Sequence, residues 1–273
     1  NISHFRVSFR KRNAPNQSIV LPKSAVKQRR KKLVIYPRIL KEHARFRLGK
    51  KKSKRRLVLG HDMRLCLQNR KWYLCVPCPT TKDMPVPQPG KTCALDPGVT
   101  HFQTTFDGFK STQYTATFRD QYERIAQFQS LMDTSTGRRR AHMRRRLGKI
   151  YATIRARVTD LHYRVIRDLV RARYHTVLLP KFESQDMVSK TKNKTLKREI
   201  LGLNHYKFQQ RLLESGIPDV RIVNEAFTSK TCTWCGTLNN AFQQRTLVCT
   251  NCTCTIDRDV NGARNIYLKY MSA

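Results

Sequence analysis

The segment "KTCALDPGVTHFQTTFDG", residues 91–108, contains the pattern that decides the fold. An apolar run ends at Asp96, a Pro97-Gly98 pair follows it, and a second extended run ends at Asp107-Gly108. Pro-Gly and Asp-Gly pairs are typical of tight turns between strands. A third extended segment, "STQYTATF", follows at 111–118. The three segments predict an antiparallel meander with an aspartate at the end of its first strand.

Downstream of the meander, the apolar period changes from two residues to three and four. This helical period predicts one buried helix face, which consists of Leu147, Ile150, Ile154, Val158, Leu161, Val165 and Leu169. The stretch "DTSTGRRR", residues 133–140, interrupts the pattern between 119 and 171. We therefore predict two helices joined near Gly137.

Strands and helices alternate further along the chain. "TVLLP" (176–180) is typical of a short buried strand, "LKREILGLNHYKFQQRLLESG" (196–216) of one helix stopped by Gly216, and "DVRIV" (219–223) of another strand. This alternation predicts parallel strand pairing, so residues 92–273 are expected to form an α/β domain.

Charge is the dominant feature of the composition. The 273 residues include 55 Lys and Arg against 18 Asp and Glu, a formal net charge of +37. Such an excess indicates a polyanionic partner and strongly salt-dependent binding to phosphate backbones. A packing protein of the ribosomal type is the alternative. A membrane-bound protein is not expected, because no apolar run approaches the ~20 residues that a spanning helix needs.

The amino-terminal part, residues 1–79, is β-rich and basic, and a linker with three prolines, 80–91, separates it from the α/β domain. The segment 61–79 alternates as a hairpin does, and two basic runs stand at 27–32 and 50–56. Solvated surface is one interpretation of these runs, and a nuclear localisation signal is another. We favour a nucleic-acid-binding surface, with the candidate residues Lys27, Arg29, Arg30, Lys31, Lys32, Lys50, Lys51, Lys52, Arg55 and Arg56.

Five of the nine cysteines fall between residues 232 and 254. Cys232 and Cys235 form one C-x-x-C pair, and Cys249 and Cys252 form a second. This spacing is typical of a zinc ribbon, here expected at 228–256, in which four thiolates surround a structural Zn²⁺ and leave no open position for catalysis. Cys254 is an alternative to Cys252 as the fourth ligand.

Three carboxylates stand where strands end or a helix begins: Asp96, Glu225 and Asp259. Taken one at a time, they read as a turn aspartate, a surface acid and a helix N-cap. In a chain with so few acids and a predicted polyanionic partner, the three together suggest one metal cluster. Oxygen ligands suit Mg²⁺ or Mn²⁺, which phosphodiester cleavage uses to activate water and stabilise the leaving oxygen.

A family resemblance rests on three motifs in a fixed order: "LDPGV" (95–99), "EAFTSKTCTWCG" (225–236) and "DRDVNGARNI" (257–266). Residues 92–273 resemble the RuvC-like nuclease of the TnpB proteins of insertion-sequence transposons and of their eukaryotic relatives, the Fanzor proteins. Residues 1–79 look more loosely like the wedge, the β-barrel that grips guide RNA in those proteins. The helical recognition lobe and other amino-terminal parts of that family are expected to be missing from these 273 residues.

The resemblance implies an RNase H-like (RuvC) fold with an inserted zinc ribbon, preceded by the wedge-type barrel. It implies an RNA-guided DNA endonuclease that acts as a monomer with an omega-type non-coding guide RNA on double-stranded DNA, located in the nucleus if the protein is eukaryotic. Asp96 matches the first-motif aspartate and Asp259 the third, while Asp257 matches a neighbour that is not a ligand. Lys230 and Arg258 are expected to contact phosphate, with solvated surface charge as the simpler alternative for each.

The second motif departs from the family pattern. Bacterial members have a glutamate after the central strand, at the position that Pro180 occupies in "LLPKFESQDMV" (178–188). Fanzor proteins use an acid about 45 residues later, which corresponds to Glu225 and favours the Fanzor branch. Glu183 is the rival. Glu225 is preferred because the end of a strand beside Asp96 aims a carboxylate better than a loop does.

Two other functions share these features. A catalytically inactive or domesticated relative would bind nucleic acid without cutting it, and a guide-independent nuclease of RNase H type would use the same metals. Fold analogy alone does not separate them.

Overall fold

The computed structural model describes residues 16–40, 45–47, 57–68, 71–77, 84–115, 117–182, 184–224, 226–239 and 245–271. The chain divides into two compact units, Asn1–Asp83 and Met84–Ala273, and each is described by itself.

The first unit contains six described strands: β1 (Asn16–Leu21), β2 (Val26–Arg29), β3 (Lys32–Ile35), β4 (Arg45–Arg47), β5 (Met63–Gln68) and β6 (Lys71–Cys75). They form two antiparallel sheets of three strands, with the orders β1-β5-β6 and β2-β3-β4. Within the described ranges, an apolar cluster holds the unit together, formed by Leu21, Val26, Leu33, Ile35 and Met63. The unit is therefore β-rich, as expected, but its described strands do not form one closed barrel.

The predicted hairpin is confirmed: β5 and β6 pair with Leu67 opposite Trp72. The basic run at 27–32 is itself part of a hairpin, because β2 and β3 pair across a turn at Arg30, where φ is +50°. Among its cations, Lys32 is half-buried and the others, Lys27, Arg29, Arg30 and Lys31, are exposed. The cations of the second run, Lys50, Lys51, Lys52, Arg55 and Arg56, lie outside the described residues.

The second unit begins with β7 (Gln88–Pro97), β8 (His101–Phe106) and β9 (Ser111–Thr115), followed by helices α1 (Arg119–Asp133) and α2 (Gly137–Arg171). Then come β10 (Tyr174–Pro180), α3 (Ser184–Lys190), α4 (Lys194–Leu203), α5 (His205–Leu213) and β11 (Asp219–Val223). The described part ends with β12 (Thr246–Val248), β13 (Thr255–Asp257) and α6 (Arg258–Met271).

A five-stranded sheet of order β11-β10-β7-β8-β9 organises this unit. The predicted meander is confirmed, since β7, β8 and β9 pair antiparallel, and so is the parallel pairing of β7, β10 and β11. Strand β7 already begins at Gln88, inside the segment 80–91 that the sequence suggested as a linker.

Alternate residues of β7 face opposite sides of the sheet and belong to two different cores. Cys93 and Leu95 are buried with Val158 and Leu161 of α2. On the opposite face, Ala94 is buried with Leu178 of β10 and Ile266 of α6. The large helices therefore cover one face, and α6 packs on the other.

The helix boundaries follow the sequence pattern in one case and not in another. The join near Gly137 is confirmed, because α1 ends at Asp133 and α2 begins at Gly137, where φ is +55°. The single helix predicted over 196–216 is wrong. Asn204 adopts a left-handed conformation, with φ of +53° and ψ of +52°, and separates α4 from α5. Asparagine tolerates this conformation better than most residues, but it gives no strong stop signal in a sequence.

No helix in the described ranges combines the length and apolarity that crossing a bilayer requires.

Two helical glycines test the packing with opposite expected signs. Gly148 of α2 has open space around the position of a Cβ atom, so Gly148→Ala should raise the free energy of unfolding by ~0.5–1 kcal/mol through the lower backbone entropy of the unfolded chain. At Gly202 of α4 an added Cβ would overlap the Tyr122 hydroxyl, so Gly202→Ala should lower the free energy of unfolding by ~1–3 kcal/mol. Thermal unfolding measures both changes, and equal shifts of Tm would contradict this packing.

Candidate metal-binding cleft

The three parallel strands end at one edge of the sheet. Because β7, β10 and β11 run in the same direction, their last residues, Pro97, Pro180 and Val223, lie at the same edge. A cleft of about 930 Å³ opens there. We call it the carboxylate cleft, since it is lined by the aspartates Asp96, Asp186 and Asp259. The crevice at the carboxyl ends of strands is the usual ligand site of open α/β sheets.

Positive side chains surround these aspartates. The basic residues that line the cleft are Lys181, Lys190, Lys230 and Arg258. Of the residues predicted to contact nucleic acid, Lys230 and Arg258 therefore lie in the cleft, whereas the described part of the 27–32 run belongs to the other unit. Acids beside cations suit a site that holds both a metal ion and the phosphate groups that it acts on.

Helix α6 approaches Asp96 closely at Gly262. A Cβ atom added to Gly262 would lie 2.5 Å from Asp96 Oδ2 and 3.0 Å from Asp96 Cγ. Glycine is therefore required here for close approach and not for a special φ angle. Asp259 lies three residues earlier, about one helical turn, and so on the same face of α6 as Gly262. The two predicted catalytic aspartates thus reach the same cleft from two distant segments of the chain.

Asp257, and not Asp259, caps the start of α6. Its Oδ1 accepts hydrogen bonds from the backbone amides of Asp259 at 3.0 Å and Val260 at 3.1 Å. It also accepts from Gln113 Nε2 of β9 at 3.0 Å, and Arg245 Nε donates to its Oδ2 at 3.3 Å. Partial burial opposes ionisation, but these hydrogen bonds and the Arg245 charge lower the pKa of Asp257. Because Asp257 caps the helix, the Asp259 carboxylate is not used as the cap and lines the cleft instead.

Asp259 is mostly covered, with a side chain that is 18% exposed, and Arg258 Nε lies 3.8 Å from its Oδ1. Arg258 itself is 44% exposed. A long ion pair with one solvent-exposed partner adds little stability. The ion pair matters for the charge of the cleft, because it places the Arg258 cation beside the Asp259 carboxylate.

Two buried asparagines attach the cysteine-bearing segment to α6. Asn261 Nδ2 donates to the carbonyl oxygen of Thr231 at 2.8 Å, and its Oδ1 accepts from the amide of Thr233 at 3.0 Å. Asn265 Nδ2 donates to the carbonyl oxygens of Thr228 and Thr231, both at 2.7 Å. Leaving these groups without partners would cost ~1–3 kcal/mol each. Neither set of contacts is visible in the local sequence, because the partner residues belong to another segment of the chain.

The four predicted cysteine ligands come together. The Sγ atoms of Cys232, Cys235, Cys249 and Cys252 all lie within 4.8 Å of one another. Cys232 and Cys252 are 3.7 Å apart and Cys235 and Cys249 are 3.5 Å apart, sulfur to sulfur. Tetrahedral zinc with Zn–S bonds of ~2.3 Å needs sulfur separations of about 3.8 Å. The cluster therefore fits a structural zinc ion, with Cys252 and not Cys254 as the fourth ligand.

Hydrogen bonds prepare two of these thiols for metal binding. Bonds with the Thr237 side chain and backbone lower the pKa of Cys235 to about 5. The backbone amides of Cys252 and Asn251 likewise lower the pKa of Cys249. Thiolate is the form that binds metal. Gly236, with φ of +76°, makes the tight turn after the first pair.

An aromatic stack supports the wall of the cleft. Phe182, which lines the cleft, stacks on His205 with 3.9 Å between ring centroids, and His205 stacks on Phe102 at 4.9 Å. Burial lowers the pKa of His205 to about 3, so the ring is neutral at physiological pH. The sequence gave no sign of this role, because Phe102 and His205 are far apart in the chain.

The second-motif acid stays a prediction, because both Glu225 and Glu183 lie outside the described residues. Asn224 and Phe182, which precede them, both line the carboxylate cleft. Sequence reasoning missed a third candidate, Asp186, in the first turn of α3. The signal that was available is its place, six residues after the end of a buried strand at Pro180.

Two family models together match most of the second unit. Residues 75–188 match the model described as "Probable transposase" (OrfB_IS605), and residues 205–266 match the Cas12f1-like TNB domain. The first match contains Asp96, and the second contains the cysteine cluster and Asp259.

Curated relatives extend the similarity over most of the chain. Two TnpB-like proteins of Acanthamoeba polyphaga mimivirus are each 28% identical over 263 residues, which is 89% of this chain and 50% and 49% of the relatives. The chain thus spans about half the length of the curated relatives that it matches.

A solved structure shares the fold. The protein in a Cas12f1-sgRNA-target DNA complex aligns with a TM-score of 0.50 at 16% identity, over 76% of this chain and 45% of that one. The sheet with its cysteine cluster is therefore a TnpB-like fold with a zinc ribbon. The two family models and the TnpB-like viral relatives together show that the chain belongs to the TnpB family.

Proposed function

We propose that this chain carries the nuclease centre of a transposon-derived, RNA-guided DNA endonuclease. One observation carries the proposal: Asp96 and Asp259 line the same cleft, at the carboxyl edge of the central sheet, among four cationic side chains. The strand order and the helix on each face are those expected of an RNase H-like nuclease domain. Membership of the TnpB family supports the reaction class.

The residues fit oxygen-ligated divalent ions. The acids that line the cleft offer only carboxylate oxygens, and the cysteines form their own separate cluster. Bound Mg²⁺ or Mn²⁺ would activate the attacking water and stabilise the leaving oxygen. Asp96 and Asp259 would hold these ions. A third carboxylate, which we assign to Glu225, would complete the set.

The cations of the cleft have a separate role. Lys181, Lys190, Lys230 and Arg258 would bind the phosphates of the DNA strand and set its direction across the two aspartates. Because water is the proposed nucleophile, the chain needs no nucleophilic side chain and forms no covalent intermediate. The expected products carry 5′-phosphate and 3′-hydroxyl ends.

The guide RNA is proposed from charge and similarity. A net charge of +37 on 273 residues favours a long polyanionic partner. The related fold is known in a complex named for its sgRNA and target DNA. We propose an omega-type RNA as the guide, with the exposed Lys27–Lys32 hairpin as one of its contacts and base pairing as the source of specificity.

One observation favours binding without cleavage as the second candidate. Strand β10 ends at Pro180 and is followed by Lys181, so a cation and not an acid enters the cleft beside the strand of Asp96. If no third carboxylate joins Asp96 and Asp259 in holding the metal ions, the protein would bind nucleic acid and leave it intact. Cleavage assays on acid variants distinguish the two functions.

Asp96→Asn and Asp259→Asn should each lower Mg²⁺-dependent DNA cleavage by at least ~10³-fold, about 4 kcal/mol of activation free energy, while guide binding persists. Asparagine keeps the shape and removes the charge that holds the ions. The assay is cleavage of labelled target DNA by the guide complex, with RNA binding measured in parallel. Asp257→Asn is the matched control, because an amide oxygen still caps α6, and its rate should stay within about threefold. Full activity of either Asp96→Asn or Asp259→Asn would refute the proposed centre.

The third acid is found by comparing Glu225→Gln, Glu183→Gln and Asp186→Asn under the same conditions. We expect Glu225→Gln to abolish cleavage and the other two to retain it, because a strand end aims a carboxylate better than a loop does. Loss of activity in Asp186→Asn or Glu183→Gln alone would transfer the role to that residue.

The cysteine cluster should bind one zinc ion per chain. Cys235→Ser should reduce the zinc content below half an equivalent and lower Tm by at least about 5 °C, because metal binding contributes directly to folding. Cys254→Ser is the control and should keep its zinc, since Cys254 lies outside the four-sulfur cluster. Metal analysis and calorimetry measure both effects. Zinc loss in Cys254→Ser but not in Cys235→Ser would contradict the ligand assignment.

A further inference from the structure

Trp234 stands exposed on a rigid part of the surface. It lies between two members of the cysteine cluster, Cys232 and Cys235, and its side chain is 62% exposed. Exposure of one aromatic residue is not by itself a binding signal, but tryptophan is enriched at interaction sites, where its large ring is covered by a partner.

One face of the indole is already occupied. The Arg264 guanidinium of α6 lies 4.5 Å from the Trp234 ring centroid, and it also lies over the Phe106 ring of β8 at 5.2 Å. Arg264 Nε donates a hydrogen bond to Thr233 Oγ1 at 3.3 Å. The three side chains form a layered stack, Phe106–Arg264–Trp234, which we call the Trp234 stack. Since one face of Trp234 is covered and more than half of the side chain is exposed, the other face is open to solvent.

The orientation of the Trp234 ring is fixed from three directions. The cysteine cluster holds the backbone on both sides of it, and Thr233 N donates to Asn261 Oδ1 at 3.0 Å. Arg264 holds the ring from α6, the helix that also carries Asp259. The aromatic ring is therefore ordered when the protein folds, so ligand binding does not have to supply the entropy cost of ordering it.

The charge around the stack selects the ligand. Trp234 lies over a guanidinium, and Lys230 and Arg258 line the carboxylate cleft on the same two chain segments. With a net charge of +37, the surface favours a polyanion over a peptide that has few acidic residues. A flat aromatic face beside phosphate-binding cations is the arrangement with which proteins hold single strands.

We propose that Trp234 is a stacking platform for an unpaired base of single-stranded DNA, carried by a chain segment and a helix that also contribute residues to the carboxylate cleft. A base inside a duplex has both faces covered, so only an unpaired base is able to stack on the indole. DNA is chosen over RNA because the proposed function brings a DNA strand to this cleft, and the inference rests on that function for its source of ligand. It adds a contact to bases, whereas the cleft itself contacts phosphates.

The composition of the chain allows a direct test. Trp72 and Trp234 are the two tryptophans of the protein, so Trp72→Phe leaves Trp234 as the sole tryptophan. Its fluorescence is titrated with a 15-nucleotide oligothymidylate and with an abasic oligonucleotide of the same length, without divalent ions. Stacking should quench the emission at saturation with the first and leave it within about 10% with the second. Equal quenching by both oligonucleotides would overturn the platform, because phosphate binding alone would then explain it.

Affinity provides the second measurement. Trp234→Ala should weaken oligothymidylate binding about 10-fold, equivalent to ~1.4 kcal/mol, and Trp234→Phe should restore most of the loss because phenylalanine also stacks. Phe109→Ala is the matched control, since Phe109 is an aromatic residue that is 97% exposed on the β8–β9 turn, and it should bind as the wild type does. Zinc content is measured for each variant to verify folding. Unchanged binding by zinc-loaded Trp234→Ala, or an equal loss in Phe109→Ala, would refute the inference.

Two further outcomes keep the inference separate from the proposed function. Stronger quenching by an oligouridylate than by oligothymidylate would assign the platform to RNA and overturn the DNA assignment. A wild-type protein that shows base-dependent quenching but never cleaves DNA would refute the nuclease and leave the platform standing. DNA cleavage by a wild-type protein that shows no base-dependent quenching would refute the platform and leave the nuclease standing.

Discussion

The contact between Gly262 and Asp96 is the constraint on which the site depends. A helix lies so close to the end of β7 that the Asp96 carboxylate occupies the space where a Cβ atom of residue 262 would stand. This approach fixes the distance between helix and sheet, and through the helix it fixes Asp259, one turn earlier. Two carboxylates from distant segments thus line one cleft, carried by a strand and a helix and not by a loop, which is the kind of preorganisation that a metal site requires.

The cysteine cluster extends the same constraint. Asn261 and Asn265 bind the backbone that leads into the cluster, while Asp257 caps the helix and ties it to β9 through Gln113. A closed four-sulfur site holds this backbone rigid but takes no direct part in chemistry. The zinc ribbon therefore limits the movement of α6 through these asparagine hydrogen bonds. Arg264 of α6 packs against the Trp234 ring at the surface of the ribbon.

Sequence reasoning succeeded where the signal is local. The meander, the apolar face of α2 and the C-x-x-C pairs follow from turn residues, a 3.6-residue period and ligand spacing, and each of these is visible within a few dozen residues. It failed at Asn204, where a helix was predicted to continue, because a left-handed asparagine leaves no clear mark in a periodic pattern.

The remaining features depend on contacts between distant segments. Nothing in "DRDVNGARNI" tells which aspartate caps the helix; the structure shows that Gln113 and Arg245 converge on Asp257 and leave Asp259 to the cleft. Asp186 and the Trp234 stack were missed for the same reason, since their partners come from other elements. The family resemblance supplied the expected roles of Asp96 and Asp259, and the geometry shows why these two residues line one cleft.

The central claim is that Asp96 and Asp259 act as one metal centre, and Mn²⁺ affinity in a double-mutant cycle tests it most directly. Calorimetric titration would compare the wild type, Asp96→Asn, Asp259→Asn and the double variant, each loaded with zinc. Ligands of one centre should be strongly non-additive, so each single variant should lose nearly as much affinity as the double variant does. Losses of binding free energy that simply add would contradict the account, because the two aspartates would then bind independently.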